Sequence, residues 1–509
     1  MKISFVGIGT EQLGLSQLSA ILKAQGHQTD IAFAASLFHD RFNLELPWLS
    51  PYFDDTKEVY KSLEYQKPDI IAYSPLTSTY QWMLDIARNA KQMNPNVINV
   101  FGGVHASALP DLVINRPEID YVVVGEGDVA FPQILNAIQN RDFETPIVNT
   151  RFKTKSGIVV RGIQSSFIQD LDSLPFLDKQ LWEEHVILGD IYMTMASRGC
   201  PYRCTFCFNN FFAKLPEEKG GKYVRLRSPE HTIAELKFAK TRYNIKRVDF
   251  EDDVFTTNKK WLQEFLSSYK KEINVPFQIL THPRYMDADI AKWLKDAGCE
   301  WIQMGVQSMD EDFKKDSLMR YERSDDIAKT LDIMNQNKLN VKVDHMFGLP
   351  NEPITAQKAA LDVYTLYTPK RIQTFWTCFL PGTEMMNEAV RNGTLSKEKE
   401  ALINEGVEFY FFRNTENIKD KDLMNMYKAY EVIFKLLPIL PEFLKKRITP
   451  TFISTLPSFL IRPLSQVVDI ASGFLLRNPE FPWYAKHNLF QLKKFFARKI
   501  GIKVSAYKG

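Results

Sequence analysis

Cys200, Cys204 and Cys207 lie within eight residues in SRGCPYRCTFCFNN (197–210), and the 509-residue chain holds five cysteines in all. Thiols so close together are candidate metal ligands. A structural zinc site usually closes four ligands built from paired Cys-x-x-Cys units. Here Cys-x-x-x-Cys-x-x-Cys offers three, and Cys299 and Cys378 show no paired spacing. A four-iron cluster held by three thiolates keeps one iron open, and thiolate ligation is the ordinary way to hold such clusters. The competing reading, three buried thiols, is opposed by the intervening Pro-Tyr-Arg, which is loop rather than core sequence. An odd number of mostly clustered cysteines argues against a disulfide framework and for a reduced, cytosolic chain.

A cysteine loop needs a scaffold. From residue 189 to 395, apolar runs such as YMTMASRG (192–199), KRVDFED (246–252), EWIQMGVQS (300–308) and NVKVDHMFG (340–348) alternate with helical patterns. Ser228-Pro229 opens the first of these helices, as an N-cap and a first helical residue should. Six such units predict an incomplete (β/α)6 barrel, whose chemistry sits at the C-terminal ends of the strands. The cysteine loop follows the first strand and so falls at that mouth.

Residues 1–150 show a second rhythm. KISFVGI, TDIAFA, DIIAYSPL, VINVFGG and YVVVGEG are continuous apolar runs separated by helical stretches, as in a parallel sheet covered on both faces. Polar and glycine residues gather at the run ends, where such sheets bind ligands. GIGTEQLG is not a dinucleotide fingerprint, because Gln12 stands at the third glycine position. Residues 151–188 read as a linker with a β-ribbon. Residues 396–509 read as mostly helical.

Together these features resemble the radical S-adenosylmethionine (SAM) superfamily, and the two-domain likeness extends over roughly residues 1–385. The resemblance implies a [4Fe-4S] cluster on Cys200, Cys204 and Cys207. It also implies a SAM-derived 5′-deoxyadenosyl radical and an electron donor such as flavodoxin or ferredoxin. Phe206 occupies the aromatic position beside adenine. Asp252, and after it Asp253, would meet the methionine amino group, although Asp253 also suits a helix N-cap. Arg284 would pair with the SAM carboxylate or stand solvated at the surface. Gln307 and Ser308 match the ribose-binding strand end, and Gly348 the glycine turn at adenine.

The first half resembles the Rossmann-like cobalamin-binding domain that precedes many such barrels. The implied cobalamin residues are Gly9, Thr10, Glu11, Ser74, Leu76, Thr77, Gly102, Gly103, Val104, Glu126 and Gly127. In the family signature DxHxxG the histidine ligates cobalt, and Glu11 replaces it here. His105 reads as a loop residue rather than an axial ligand. The resemblance implies methylation of an unactivated carbon, with cyclisation or rearrangement as alternatives and a cobalamin sensor as the non-enzyme reading. No catalytic side chain is singled out.

A net charge of +3 gives no pull toward nucleic acid. Residues 441–509 carry 12 Lys and Arg against 3 Asp and Glu, however, a local excess of +9. Their basic, aromatic-rich pattern fits an anionic membrane surface at the inner face, an apolar lipid-like substrate, a cover over the barrel mouth, or an ordinary packed helix with a solvated basic face.

Overall fold

A computed structural model describes residues 1–39, 46, 48–217, 219–407, 420–502 and 504. Of the C-terminal region, residues 408–419, 503 and 505–509 lie outside the described residues. The first sheet contains β1 (Lys2–Ile8), β2 (Gln28–Ala34), β3 (Ile70–Tyr73), β4 (Ile98–Phe101), β5 (Tyr121–Val123), β6 (Thr150–Lys153) and β7 (Val159–Arg161). Its order is 2-1-3-4-5-6-7. The first five strands are parallel, and the β6–β7 hairpin joins antiparallel. The ribbon at the start of the predicted linker therefore extends the first sheet. The order reverses between β1 and β3, and ligands of doubly wound sheets bind at such a crevice.

Strand periodicity divides the side chains of this sheet between two faces. Val6, Ile71, Tyr73, Phe101 and Val122 pack on one face. Ile3, Phe5, Ala72, Val100 and Val123 pack on the other, and their cluster continues into Phe250, Ile279, Met304 and Val343 of the second sheet. One apolar core thus joins both halves of the molecule.

The second sheet contains β8 (Tyr192–Thr194), β11 (Val248–Phe250), β12 (Phe277–Thr281), β13 (Cys299–Gln307), β14 (Asn340–Phe347) and β15 (Arg371–Trp376), adjacent in that order and all parallel. Between β8 and β11, β9 (Ser197–Arg198) and β10 (Arg225–Leu226) pair antiparallel and bracket the cysteine loop. Ser228 Oγ accepts from His231 N–H at 3.0 Å and caps the helix Pro229–Tyr243. Asn258 and Asp287 cap the next two helices in the same way. The edge strand β15 is covered by the helix Lys421–Leu436, whose Glu431 accepts from Trp376 Nε1 at 3.1 Å.

The last helix, Glu480–Lys499, corrects the expectation of a cover over the barrel mouth. Glu480 accepts from Lys342 Nζ at 2.7 Å and Gln278 Nε2 at 3.2 Å. Both partners sit near the starts of their strands, so this segment closes the end opposite the mouth. The helix then crosses to the first sheet, where Arg498 meets Asp55 at 3.3 Å and Phe495 packs on Phe53.

Although burial opposes charge, Lys342 holds the Glu480 carboxyl down to about 2. A depressed carboxyl stabilises the fold above its unfolded value near 4.5 and loses that contribution as pH falls toward 2. Glu480→Gln should therefore cost on the order of 3 kcal/mol at pH 7 and progressively less below about pH 4.5. Urea unfolding of both proteins at pH 7 and pH 3.5 measures this; an equal difference at both pH values would contradict it.

Candidate functional site between the two sheets

The strand ends of the first sheet and the loops of the barrel mouth enclose one cleft of about 360 Å³. Ser74, Gly102, Gly103, Gly125, Glu126 and Gly127 line it from the first sheet. Gly199, Phe208, Asn209, Tyr223, Glu251 and Asp253 line it from the barrel. Gly103 has φ +76°, and a Cβ there would lie 2.4 Å from Ser74 Oγ. Only glycine lets these two strand-end loops meet so closely. Gly199, at φ +87°, turns the chain into the cysteine loop; a Cβ there would strike the Tyr223 carbonyl oxygen at 2.3 Å.

Cys204 is buried, and Cys200 and Cys207 are half-buried. Burial pushes the Cys200 and Cys207 thiols up to about 12, with Asp253 adding negative charge beside both. Burial raises the Cys204 thiol too, and Arg320 Nη1, 3.8 Å from Cys204 Sγ, opposes that rise. Among the described residues, no three His, Cys, Asp or Glu side chains converge as a single-ion site. A cluster asks for a different arrangement, because each thiolate binds its own iron. Soft thiolate donors are the set that selects iron–sulfur clusters over hard cations. Three thiols on one loop, whose flanking Gly199 and Phe208 line the cleft, fit such a cluster. Cys299 lies at the start of β13, the far end of the barrel.

Arg320 was not singled out by the sequence. It is buried, donates to Gly305 O at 2.7 Å and pairs with Glu322 at 2.7 Å. Glu322 also faces His282 and Lys314, and these cationic and hydrogen-bonding partners hold its carboxyl down to about 2 despite burial.

The other SAM candidates are dispersed. Asp252 is buried, and its oxygens accept from Ala196 N–H at 3.0 Å and from the Ser197 hydroxyl. It braces the approach to the cysteine loop and does not line the cleft. Asp253 and Glu251 do line it, and the order of preference between the two aspartates reverses. Asp253 accepts from Asn209 Nδ2 at 3.0 Å. Glu251 keeps solvent access at the cleft, yet the protein crowded around it and the neighbouring Asp249 push its carboxyl up to about 7. Phe206 packs with Met346, Leu349, Phe379 and Met385. Gln307 has φ +66° at a register shift between β13 and β14, a bulge that re-aims its side chain. Ser308 is fully buried, its hydroxyl accepting from Asp310 N–H at 3.3 Å. Gly348 has φ +73°, the left-handed conformation its turn after β14 requires. Arg284 is exposed.

The cobalamin candidates divide similarly. Ser74, Gly102, Gly103, Glu126 and Gly127 line the cleft; Gly9, Thr10, Glu11, Leu76, Thr77 and Val104 do not. Glu11 corrects the sequence expectation. It is buried in an ion pair with Lys179 and also accepts from Ser16 Oγ at 3.2 Å, while Lys179 Nζ donates to Met193 O at 2.5 Å. The motif position thus ties the first sheet to the barrel instead of facing a ligand. Thr77 bonds His105 Nδ1 at 3.1 Å, and burial holds the His105 imidazole down to about 4.

The two walls of the cleft are locked by charge. Arg198 donates to Asp128 at 2.9 and 3.1 Å and lies 3.2 Å from Glu126. Arg225 grips Glu126 through two nitrogens at 2.9 and 2.5 Å. The acids flank the start of the helix Gly127–Gln139, where backbone N–H groups favour negative charge. The arginines lie on β9 and β10, on either side of the cysteine loop.

A family profile described as "B12 binding domain" matches residues 6–135, and one described as "Radical SAM superfamily" matches residues 195–362. This chain carries a B12-binding domain followed by a radical SAM domain. It is 28% identical over 315 residues to an uncharacterized methyltransferase of Pyrococcus horikoshii, covering 60% of this chain and 66% of that one. It is 23% identical over 349 residues to the anaerobic magnesium-protoporphyrin IX monomethyl ester cyclase of Rubrivivax gelatinosus, covering 66% and 59%. The chain thus spans about three-fifths of the length of these relatives. The solved structure of the cobalamin-dependent S-adenosylmethionine radical enzyme OxsB, with aqua-cobalamin and S-adenosylmethionine bound, superposes with a TM-score of 0.62 at 15% identity over 99% of this chain and 75% of that one. At that identity it shows a shared fold.

Proposed function

We propose that this B12-binding-domain radical SAM protein is a cobalamin-dependent C-methyltransferase acting on an unactivated carbon. The observation that carries this reading is the cleft walled on one side by the glycine-rich strand ends and on the other by Gly199 and Phe208, the residues that flank the cysteine loop. Cys200, Cys204 and Cys207 would hold the cluster. Gly102, Gly103 and Ser74 would seat the cobalamin. When bound, these groups and SAM supply hydrogen-atom abstraction and a transferable methyl group.

The chain's own part is placement and exclusion of water. Arg198 and Arg225 hold the cobalamin wall against the cysteine wall through Glu126 and Asp128. Asp253 and Glu251 present acceptors at the mouth for the SAM ammonium group. Asp252 fixes the strand exit that leads to the cysteines. Arg320 steadies Cys204 from behind. Phe208, Phe212 and Tyr223 line the cleft with apolar surface that keeps water from a reactive intermediate. With Glu11 tied to Lys179, no cobalt ligand comes from that position.

Turnover with methyl-deuterated SAM and candidate apolar substrates tests the reading. Transfer of a labelled methyl group to carbon is the expected result. A product formed without label would favour the cyclase reading suggested by the Rubrivivax relative.

A further inference from the structure

The helix Ser458–Leu475 is amphipathic in reverse. Ser465 accepts from Lys435 Nζ at 2.7 Å, and Asp469 accepts from Arg371 Nη2 at 2.8 Å, so these two polar side chains face the protein. Ser472 is buried beside them. Phe459, Leu464, Val467, Ile470, Phe474 and Leu475 face outward, with Phe459 74% and Leu475 69% exposed. With the exposed Leu460, positions 460, 464, 467, 470 and 474 recur every three to four residues and form one stripe, which Phe459 and Leu475 extend at its ends. Phe443 and Phe452, on the two short helices just before it, are also exposed. A continuous exposed apolar stripe on a globular surface marks a docking site.

Charge identifies what docks. Lys446, Arg447, Arg477, Lys493 and Lys499 are exposed, whereas Glu442 is the exposed acid among the described residues of 441–502. A second copy of this chain would set two such cationic segments against each other across a two-fold contact. An anionic bilayer complements both the stripe and its cationic flanks.

Spanning is a poor fit. No single described helix is long and apolar enough to cross a membrane, and the helix Ser458–Leu475 turns by 107° into the helix Glu480–Lys499. That second helix is held to the protein: Trp483 Nε1 donates to Ile187 O at 3.2 Å, Gln491 Nε2 to His185 O at 2.6 Å and Lys494 Nζ to Glu184 O at 2.6 Å. We infer that the helix Ser458–Leu475 lies flat in the interface of an anionic lipid bilayer and seats the protein there through its outward apolar stripe. This holds whichever reaction the cleft performs.

The test uses the full chain and vesicles of phosphatidylcholine with or without about one quarter phosphatidylglycerol, a composition that sets the surface potential. Sedimentation should show binding to the anionic vesicles, weakened by high salt as the cationic flanks are screened. Val467→Glu with Phe474→Glu should lower partitioning about tenfold or more, because each charge replaces an apolar side chain that would enter the interface. Leu366→Glu, at an exposed apolar site elsewhere, should leave binding unchanged. Unaltered far-ultraviolet circular dichroism and iron loading would show that the double variant is folded. Equal binding of parent and double variant, or no binding by the parent, would overturn the proposal. So would a concentration-dependent dimer in sedimentation velocity that the same double substitution abolishes, since the stripe would then belong to a second copy.

Discussion

Replacing Cys204 with Ala should abolish both the iron–sulfur cluster and SAM cleavage. Anaerobic reconstitution of the parent should load about four irons per chain through its three thiolates, and the variant should lose the visible absorption of the cluster. Cys204 is the buried member of the three, backed by Arg320 at 3.8 Å, and no other cysteine follows it on the loop except Cys207. Loss of one thiolate leaves an iron without its protein ligand at the most enclosed corner. The fold should persist, because the loop is bracketed by the β9–β10 pair and by Asp252 rather than by the thiols. Iron content and 5′-deoxyadenosine formation are the measurements. A Cys200, Cys204 and Cys207 triple Ala variant that still cleaves SAM would refute the assignment.

Arg225→Met should be among the most destabilising single changes in the molecule. Arg225 is buried between the two walls of the cleft and meets Glu126 through two nitrogens. Removing one partner of a largely buried pair leaves the other uncompensated, at a cost of about 3–5 kcal/mol. Arg198 can neutralise Glu126 only in part, because it is engaged in two bonds to Asp128. Cobalamin retention should fall along with stability, since Glu126 and Gly127 line the cleft. Adding Glu126→Gln should restore part of the loss by removing the stranded charge. Urea unfolding of the single and double variants decides the matter; additive losses would show that the two residues do not act as a pair.

Much of this architecture was legible in local pattern. The continuous apolar runs of residues 2–8, 69–76 and 97–103 became central parallel strands, because both faces of such a sheet are buried. Ser228-Pro229 opened its helix for purely local reasons, one hydroxyl and one restricted φ. The candidate cluster loop showed in the cysteine spacing because thiolate ligation of this kind depends on residues close in sequence.

Long-range pairing was not legible. Asp252 and Asp253 are neighbours of identical type, yet the turn after β11 sends one into the protein toward Ala196 and Ser197 and the other into the cleft toward Asn209. Glu11 stands where a motif would place a ligand, and Lys179, 168 residues away, draws it into a buried pair. Arg320 has no local signal; its role comes from the thiol, carbonyl and carboxylate that tertiary packing gathers around it. The sequence by itself determined the elements and the candidate cluster loop, since these follow from periodicity and short spacing. Only the tertiary structure decided which charges face the cleft and which end of the barrel the last helix closes, because those outcomes depend on desolvated partners contributed by distant parts of the chain.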